Sequence, residues 1–314
     1  DMNTTFTCTG SIHVEGWGKP INCSKRAGHG TQTLKVATGN SCNPAFVTMG
    51  LKIGTQAYYK YLKSFGLMEA TGIDLPGEAE GIFAGEDSFN SNVVSLAAYS
   101  FGQTFNVTPL ELIRAQAATI NGGYLYTPYV VEQVLDDEGN IVSQHEPQAV
   151  RQVISEETSA KVRECLEWVV SDGGGRNGQV AGYRIGGKTG TADKTGTRNT
   201  TREVVVSFMC FAPADDPQIV ILVLLDTPSN STGIYISGAQ MAAPVVGKMM
   251  ADILPYLGVE PSYSETEKTH MDKTVPNVTG LSVEQAKAAL AEVGLQARIY
   301  GDGSTITAQL PGSG

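Results

Sequence analysis

An α+β fold, with an antiparallel sheet packed by helices on both faces, is the architecture this 314-residue sequence predicts. Three observations predict it. Segments with helical spacing and recognisable caps recur between residues 44 and 175. Apolar runs of strand length then follow within 183–226, and no crossover helix separates them. A further apolar helical segment closes the unit at 239–257. Hydrophobic residues make up 41% of the chain, which supplies a sizeable core.

Residues 1–30 read as a β-hairpin with polar turns. Its two runs, TFTC and INCS, flank a turn region, so the hairpin is expected to bring Cys8 and Cys23 together as a disulfide. A disulfide implies an oxidising, extracytoplasmic setting. Cys165 and Cys210 lie in apolar stretches as core thiols. No CxxC or HExxH occurs and the four histidines are scattered, so no metal site is expected.

A helix is expected over 44–65, with Pro44 in its first turn and Gly66 as its stop. Residues 69–93 are Gly- and Asp-rich loop. "TPLELIRAQAATINGG" (108–123) has a Thr N-cap, Pro at the first helical position and terminal glycines. "TPYVVEQVLDDEGNIVSQ" reads as two strands around a D-E-G-N turn. Residues 155–175 form a capped helix that ends in glycines. Strands follow at "YRIGGKTGTA", 203–213 and 218–226, the last two joined by the turn "ADDP". The main domain is thus expected over 1–258. A polar Pro/Ser/Glu-rich linker covers 259–273. A small α/β unit covers 274–314, with a helix from Ser282 to Val293 and a strand after Gly294.

The net charge of −10 argues against nucleic-acid partners. No apolar run reaches the roughly 18 residues that span a bilayer. Nothing in the sequence calls for a cofactor.

The stretch "GYRIGGKTGTADKTGT" (182–197) admits three readings: a phosphate loop, an acyl-transfer strand, or a loop without chemistry. Gly182–Thr189 matches G-x-x-x-x-G-K-[ST], and Asp226 ends an apolar run as a magnesium-binding strand would. A phosphate loop must open a helix, however, and "GTADKTGTRNTTR" has no helical periodicity. A strand fits better. It puts Lys188 on the face opposite Thr189 and Thr191, while Gly187 and Gly190 clear space for a substrate backbone. The second KTGT, Lys194–Thr197, is polar turn sequence at a hairpin tip. Upstream, "GNSCNPAF" places Ser41 and Asn43 two apart before a helix, where Ser41 would otherwise be an N-cap.

S-x-N followed at distance by K-T-G resembles the transpeptidase domain of class B penicillin-binding proteins, whose fold is the penicillin-binding-protein/serine β-lactamase type. "TGIDLPGE", "SFGQTFNVTPLELIRAQAATINGG", "GYRIGGKTGTA" and "FAPADDPQIVILVLLD" look like family segments in family order. "VPNVTGLSVEQAKAALAEVGL" resembles the start of a PASTA module. The resemblance implies a DD-transpeptidase that cross-links peptidoglycan at the extracytoplasmic face of a bacterial membrane, in division or sporulation. Its partners would be stem peptides, β-lactams and a further N-terminal segment of the same protein. Ser41 would relay protons, Asn43 would bond the substrate amide, and Lys188 would supply positive potential. Thr189, Gly190 and Thr191 would bind substrate, with the Thr191 N–H as half of an oxyanion hole. The departure is that no S-x-x-K occurs; the nearest stretch is Thr158–Lys161, on a surface helix. The nucleophile is therefore expected to precede residue 1, leaving this chain unable to acylate alone. The alternative is a non-catalytic, wall-binding scaffold on the same fold.

Overall fold

In the computed structural model, which describes residues 1–194, 203–270 and 274–310, strand β1 (Thr5–Cys8) is followed by a small hairpin of β2 (Ser11–Ile12) and β3 (Ile21–Asn22). β1 pairs past that hairpin with β4 (Gly30–Thr33), Cys8 opposite Gly30, while Ser11 pairs with Asn22. The single hairpin expected over 1–30 is thus two nested ones, and Cys8 and Cys23 are not cross-strand partners. Both are buried free thiols, so the expected disulfide is absent.

Helix α1 (Leu34–Gly39) starts at Thr33, whose hydroxyl accepts from the Val36 N–H. The helix expected over 44–65 is two, α2 (Asn43–Ile53) and α3 (Thr55–Ser64). They break at Gly54, whose φ of 81° has no place in a right-handed helix. The following loop holds one short helix, α4 (Glu86–Asn90), before α5 (Val93–Ser100), which Asn92 caps. Tyr59, Phe89 and Tyr99 form the aromatic core of this region, with Phe89 and Tyr99 ring centroids 4.9 Å apart.

Helix α6 (Pro109–Ile120) carries a capping box in which Thr108 and Glu111 satisfy each other's backbone N–H groups. Strand β5 (Tyr124–Tyr126) precedes a solvent-exposed hairpin, β6 (Gln133–Leu135) and β7 (Ile141–Gln144), around the expected D-E-G-N turn. Strand β8 (Ala149–Gln152) returns to pair with β5, and α7 (Glu156–Ser171) begins at Ser155.

The central sheet is antiparallel, in the order β11–β10–β9, from β9 (Gly186–Asp193), β10 (Val204–Ala212) and β11 (Ile219–Asp226). Alternate residues of β10 feed two cores. Phe208, Cys210 and Ala212 pack with Val246, Met250 and Leu254 of helix α8 (Ala243–Tyr256), which follows a π-helical turn at Gly238–Ala242. Met209 and Phe211 pack with Ile120 of α6 and Leu166 and Val169 of α7. Helices therefore cover both faces, as the sequence predicts.

The chain divides into two units, Asp1–Pro261 and Ser262–Gly314. The second includes α9 (Glu265–His270), a short helix inside the expected linker, and α10 (Val283–Glu292) with a Ser282/Gln285 capping box. No strand follows Gly294 among the described residues; a single bridge joins Ser282 and Thr305. Among the described residues no helix is long and apolar enough to cross a membrane.

Candidate active site

Lys188 lies on β9, the edge strand of the central sheet, opposite Met209 of β10. The Lys194 N–H donates to the Glu203 carbonyl, so every second residue back along β9, Lys188 included, bonds to β10. The peptide groups of Thr189 and Thr191 then point away from β10, toward the open edge. The Thr189 carbonyl shows this directly, since it accepts from Lys188 Nζ at 2.8 Å.

Ser41 reaches the same place from a separate part of the chain. The turn after α1 folds back on itself: Ser41 N–H donates to Thr38 O and Cys42 N–H to Ala37 O. Ser41 is forced to a φ of 48°, a left-handed conformation that costs a non-glycine residue roughly 1–3 kcal/mol. Cys42, not Ser41, is the N-cap residue of α2. The freed Ser41 hydroxyl accepts from Lys188 Nζ at 2.9 Å. Asn43, the first residue of α2, donates from Nδ2 to Asn22 O at 3.0 Å. Among the described residues no hydrogen bond joins it to Ser41 or Lys188.

Helix α7 sets the distance between the two halves, because it packs on α1 and on β9. The contact with α1 is close: a Cβ on Gly39 would lie 2.1 Å from the Trp168 ring, and the Gly174 N–H donates to the Gly39 carbonyl. No sequence signal connects Gly39 with Trp168, and only the folded chain shows that this pair holds Ser41 beside Lys188.

On the other face of β9, Thr191 is exposed and its Oγ1 accepts from the Gly238 N–H at 3.3 Å. Gly238 and Gly190 make this approach possible. A Cβ on Gly238 would sit 2.1 Å from Ser207 O, and one on Gly190 would sit 2.4 Å from Ser207 Oγ. Thr189 and Gly190 are half-buried beside them.

Burial pushes Lys188 down to about 8. Among the described residues no carboxylate counters the loss of water around its ammonium. At neutral pH it remains mostly charged, yet it is much closer to giving up a proton than a surface lysine.

The phosphate-loop alternative does not survive this geometry. Lys188 and Thr189 lie within an antiparallel strand, not at a helix N-terminus. Asp226 ends β11, at the far edge of the sheet, and is paired with Lys194 at 2.9 Å. Of the second KTGT, Thr195–Thr197 lie outside the described residues. In the Thr158–Lys161 stretch Ser159 is a buried structural hydroxyl that donates to Thr119 O, and Lys161 pairs with Glu157 on the surface. One feature departs from the sequence expectation of no metal site: Cys8, Cys23, His29 and Cys42 bring their ligand atoms within 4.8 Å of one another.

The chain is similar to known proteins over most of its length. The family described as "Penicillin binding protein transpeptidase domain" matches residues 1–251, and the PASTA domain family matches residues 273–314. Stage V sporulation protein D of Bacillus subtilis is 43% identical over 309 residues, covering 96% of this chain and 47% of that protein. Peptidoglycan D,D-transpeptidase FtsI of Escherichia coli is 30% identical, covering 73% of this chain and 37% of that protein. The chain therefore spans about half the length, or less, of these relatives. Penicillin-binding protein 3 of Mycobacterium tuberculosis, solved in complex with ampicillin, superposes with a TM-score of 0.73 at 26% identity, over 84% of this chain and 59% of that one. The transpeptidase domain of penicillin-binding protein 3 from Burkholderia pseudomallei superposes with a TM-score of 0.72 at 28% identity, over 84% and 75%. The chain belongs to the penicillin-binding protein transpeptidase family and carries a PASTA domain after that region.

Proposed function

We propose that these residues are the greater part of the catalytic domain of a peptidoglycan D,D-transpeptidase that works outside the cytoplasmic membrane and is acylated by β-lactams. The observation that carries the reading is the 2.9 Å bond from Lys188 Nζ to Ser41 Oγ beside an open strand edge. In this reaction a serine hydroxyl attacks the carbonyl carbon of a stem peptide's penultimate D-alanine. The amide C–N bond breaks, the terminal D-alanine leaves with a proton, and an acceptor amine then displaces the serine from the ester. Residues 1–314 contain no S-x-x-K stretch that would supply that serine.

Each residue of the site suits one part of that chemistry. Ser41 accepts from Lys188 and keeps its own O–H to donate, so it can pass a proton toward the leaving amine. Lys188 places positive charge where the substrate carboxylate and the developing oxyanion lie. The outward peptide groups of Thr189 and Thr191 can pair with a substrate backbone as an added strand would, and the Thr191 N–H supplies one oxyanion donor. Asn43, held by the Asn22 carbonyl, offers its Oδ1 to the substrate amide N–H. The PASTA unit adds a contact to peptidoglycan strands.

Fluorescent penicillin tests the reading. A longer natural chain that contains these residues and an S-x-x-K serine is expected to form a stoichiometric adduct, slowed by Ser41→Ala and by Lys188→Ala. The 314-residue chain alone is expected to form none. A longer chain that stays unlabelled would instead support a wall-binding scaffold without catalysis.

A further inference from the structure

Three of the five cysteines converge on one point. Cys8 ends β1, Cys23 follows β3, and Cys42 caps α2; His29 joins them from the loop before β4. Cys23 Sγ lies 3.4 Å from His29 Nδ1 and 4.0 Å from Cys42 Sγ. Two sulfurs on one tetrahedral zinc lie about 3.8 Å apart, given Zn–S bonds of about 2.3 Å. The spacing observed is that of ligands around a shared centre. It is about twice the S–S bond length of a disulfide, roughly 2.05 Å.

The chemistry of the donors agrees with the spacing. The three thiols are almost completely buried, at 2%, 2% and 0% exposure. Their surroundings are apolar: Phe6, Ala37 and Ala45, with Leu34 and Met49. Three polarisable sulfurs and one imidazole, in a pocket closed to water, suit a borderline-soft divalent ion and not calcium or magnesium.

The backbone is shaped around the cluster. A Cβ on Gly10 would lie 2.0 Å from Arg26 O, and one on Gly28 would lie 2.3 Å from Cys8 O. Gly10 and Gly28 also have φ of 100° and 81°. The segment between Cys23 and His29 can therefore fold flat against the end of β1.

We propose that Cys8, Cys23, His29 and Cys42 form a structural Zn²⁺ site with tetrahedral Cys₃His coordination, and that it fixes the turn bearing Ser41 and Asn43. Cys42 stands between those two residues, and Asn43 bonds to Asn22, the neighbour of Cys23. The ion ties α2 to the β2–β3 hairpin at the point where the S-x-N turn leaves α1. Metal binding itself is independent of the acyl-transfer reading and is measured without a β-lactam.

The test is metal analysis of the 314-residue chain, purified without chelator and dialysed against limited Zn²⁺. About one Zn²⁺ per chain is expected. Co²⁺ in its place is expected to show sulfur-to-metal charge-transfer bands and the intense visible bands of a tetrahedral ion. Cys23→Ser and His29→Gln should each weaken binding by roughly 10-fold or more, whereas Cys165→Ala should leave it unchanged. If the ligand variants fail to fold, the Co²⁺ spectrum of the unaltered chain decides. A chain that retains no Zn²⁺, or gives an octahedral Co²⁺ spectrum without sulfur bands, overturns the proposal. So does a disulfide between any two of the three cysteines in freshly purified protein.

Discussion

Lys188 and Ser41 stand 147 positions apart in sequence and 2.9 Å apart in space, with the ammonium donating to the hydroxyl. The edge strand supplies one partner and a strained helix-to-helix turn the other. Among the described residues neither has an opposite charge to hold it, so the pair depends on packing beneath it.

Stability should register the cost of burying Lys188. Its folded value of about 8 lies below the model-peptide value of 10.5. Between those values the unfolded chain binds a proton that the folded chain does not, so this group's contribution to stability rises as pH climbs from about 8 to 10.5. Below 8 the folded state carries the whole penalty. Lys188→Met is expected to raise the urea midpoint at pH 7 and to lose most of that advantage at pH 10. An advantage of equal size at both pH values would contradict the assignment.

Ser41 separates strain from chemistry. Ser41→Gly removes the hydroxyl but relaxes a φ of 48°, whereas Ser41→Ala removes the hydroxyl and keeps the strain. The glycine variant is expected to be more stable than the alanine variant by about 0.5–1 kcal/mol in urea denaturation, net of glycine's greater unfolded-state entropy. Both should slow penicillin acylation in the longer chain by roughly 10²-fold, the usual contribution of a positioned proton relay.

The Gly39–Trp168 contact should be intolerant of added volume. Gly39→Ala places a methyl where the indole already lies, at 2.1 Å. A loss of about 1–3 kcal/mol is expected, together with altered Trp168 fluorescence as α1 and α7 separate. An unchanged spectrum and midpoint would mean that α7 does not set the spacing between Ser41 and Lys188.

Glu111 is fully buried and accepts from the Gly81 N–H at 2.9 Å and the Thr108 N–H at 2.7 Å. Glu111→Ala leaves two backbone donors without a partner and opens a cavity. A loss of about 2–4 kcal/mol is expected in chemical denaturation, with Glu111→Gln less damaging because it keeps one acceptor.

Local pattern carried the architecture. Caps at Thr108 and Ser155, strand-length apolar runs and the "ADDP" turn depend on neighbours in sequence, and each appears where its residues predict. Strand alternation around Lys188 and the polar turn composition of Lys194–Thr197 distinguish the first KTG from the second in the sequence, and the family resemblance pairs it with S-x-N. The break at Gly54 was visible only as a glycine inside a helical pattern, and it took the observed φ to show a helix end there.

What the sequence by itself determined was the set of elements and the residue types offered for chemistry, because hydrophobic period, capping and turn chemistry act over a few residues. Tertiary structure alone decided which of those residues meet. It passed over β2 and β3 to pair β1 with β4, left Cys8 and Cys23 unbonded, and gathered them with His29 and Cys42. It also used Trp168 against Gly39 to hold a serine beside a lysine. Long-range contacts are chosen by packing a whole core at once, and spacing along the chain carries no record of that choice.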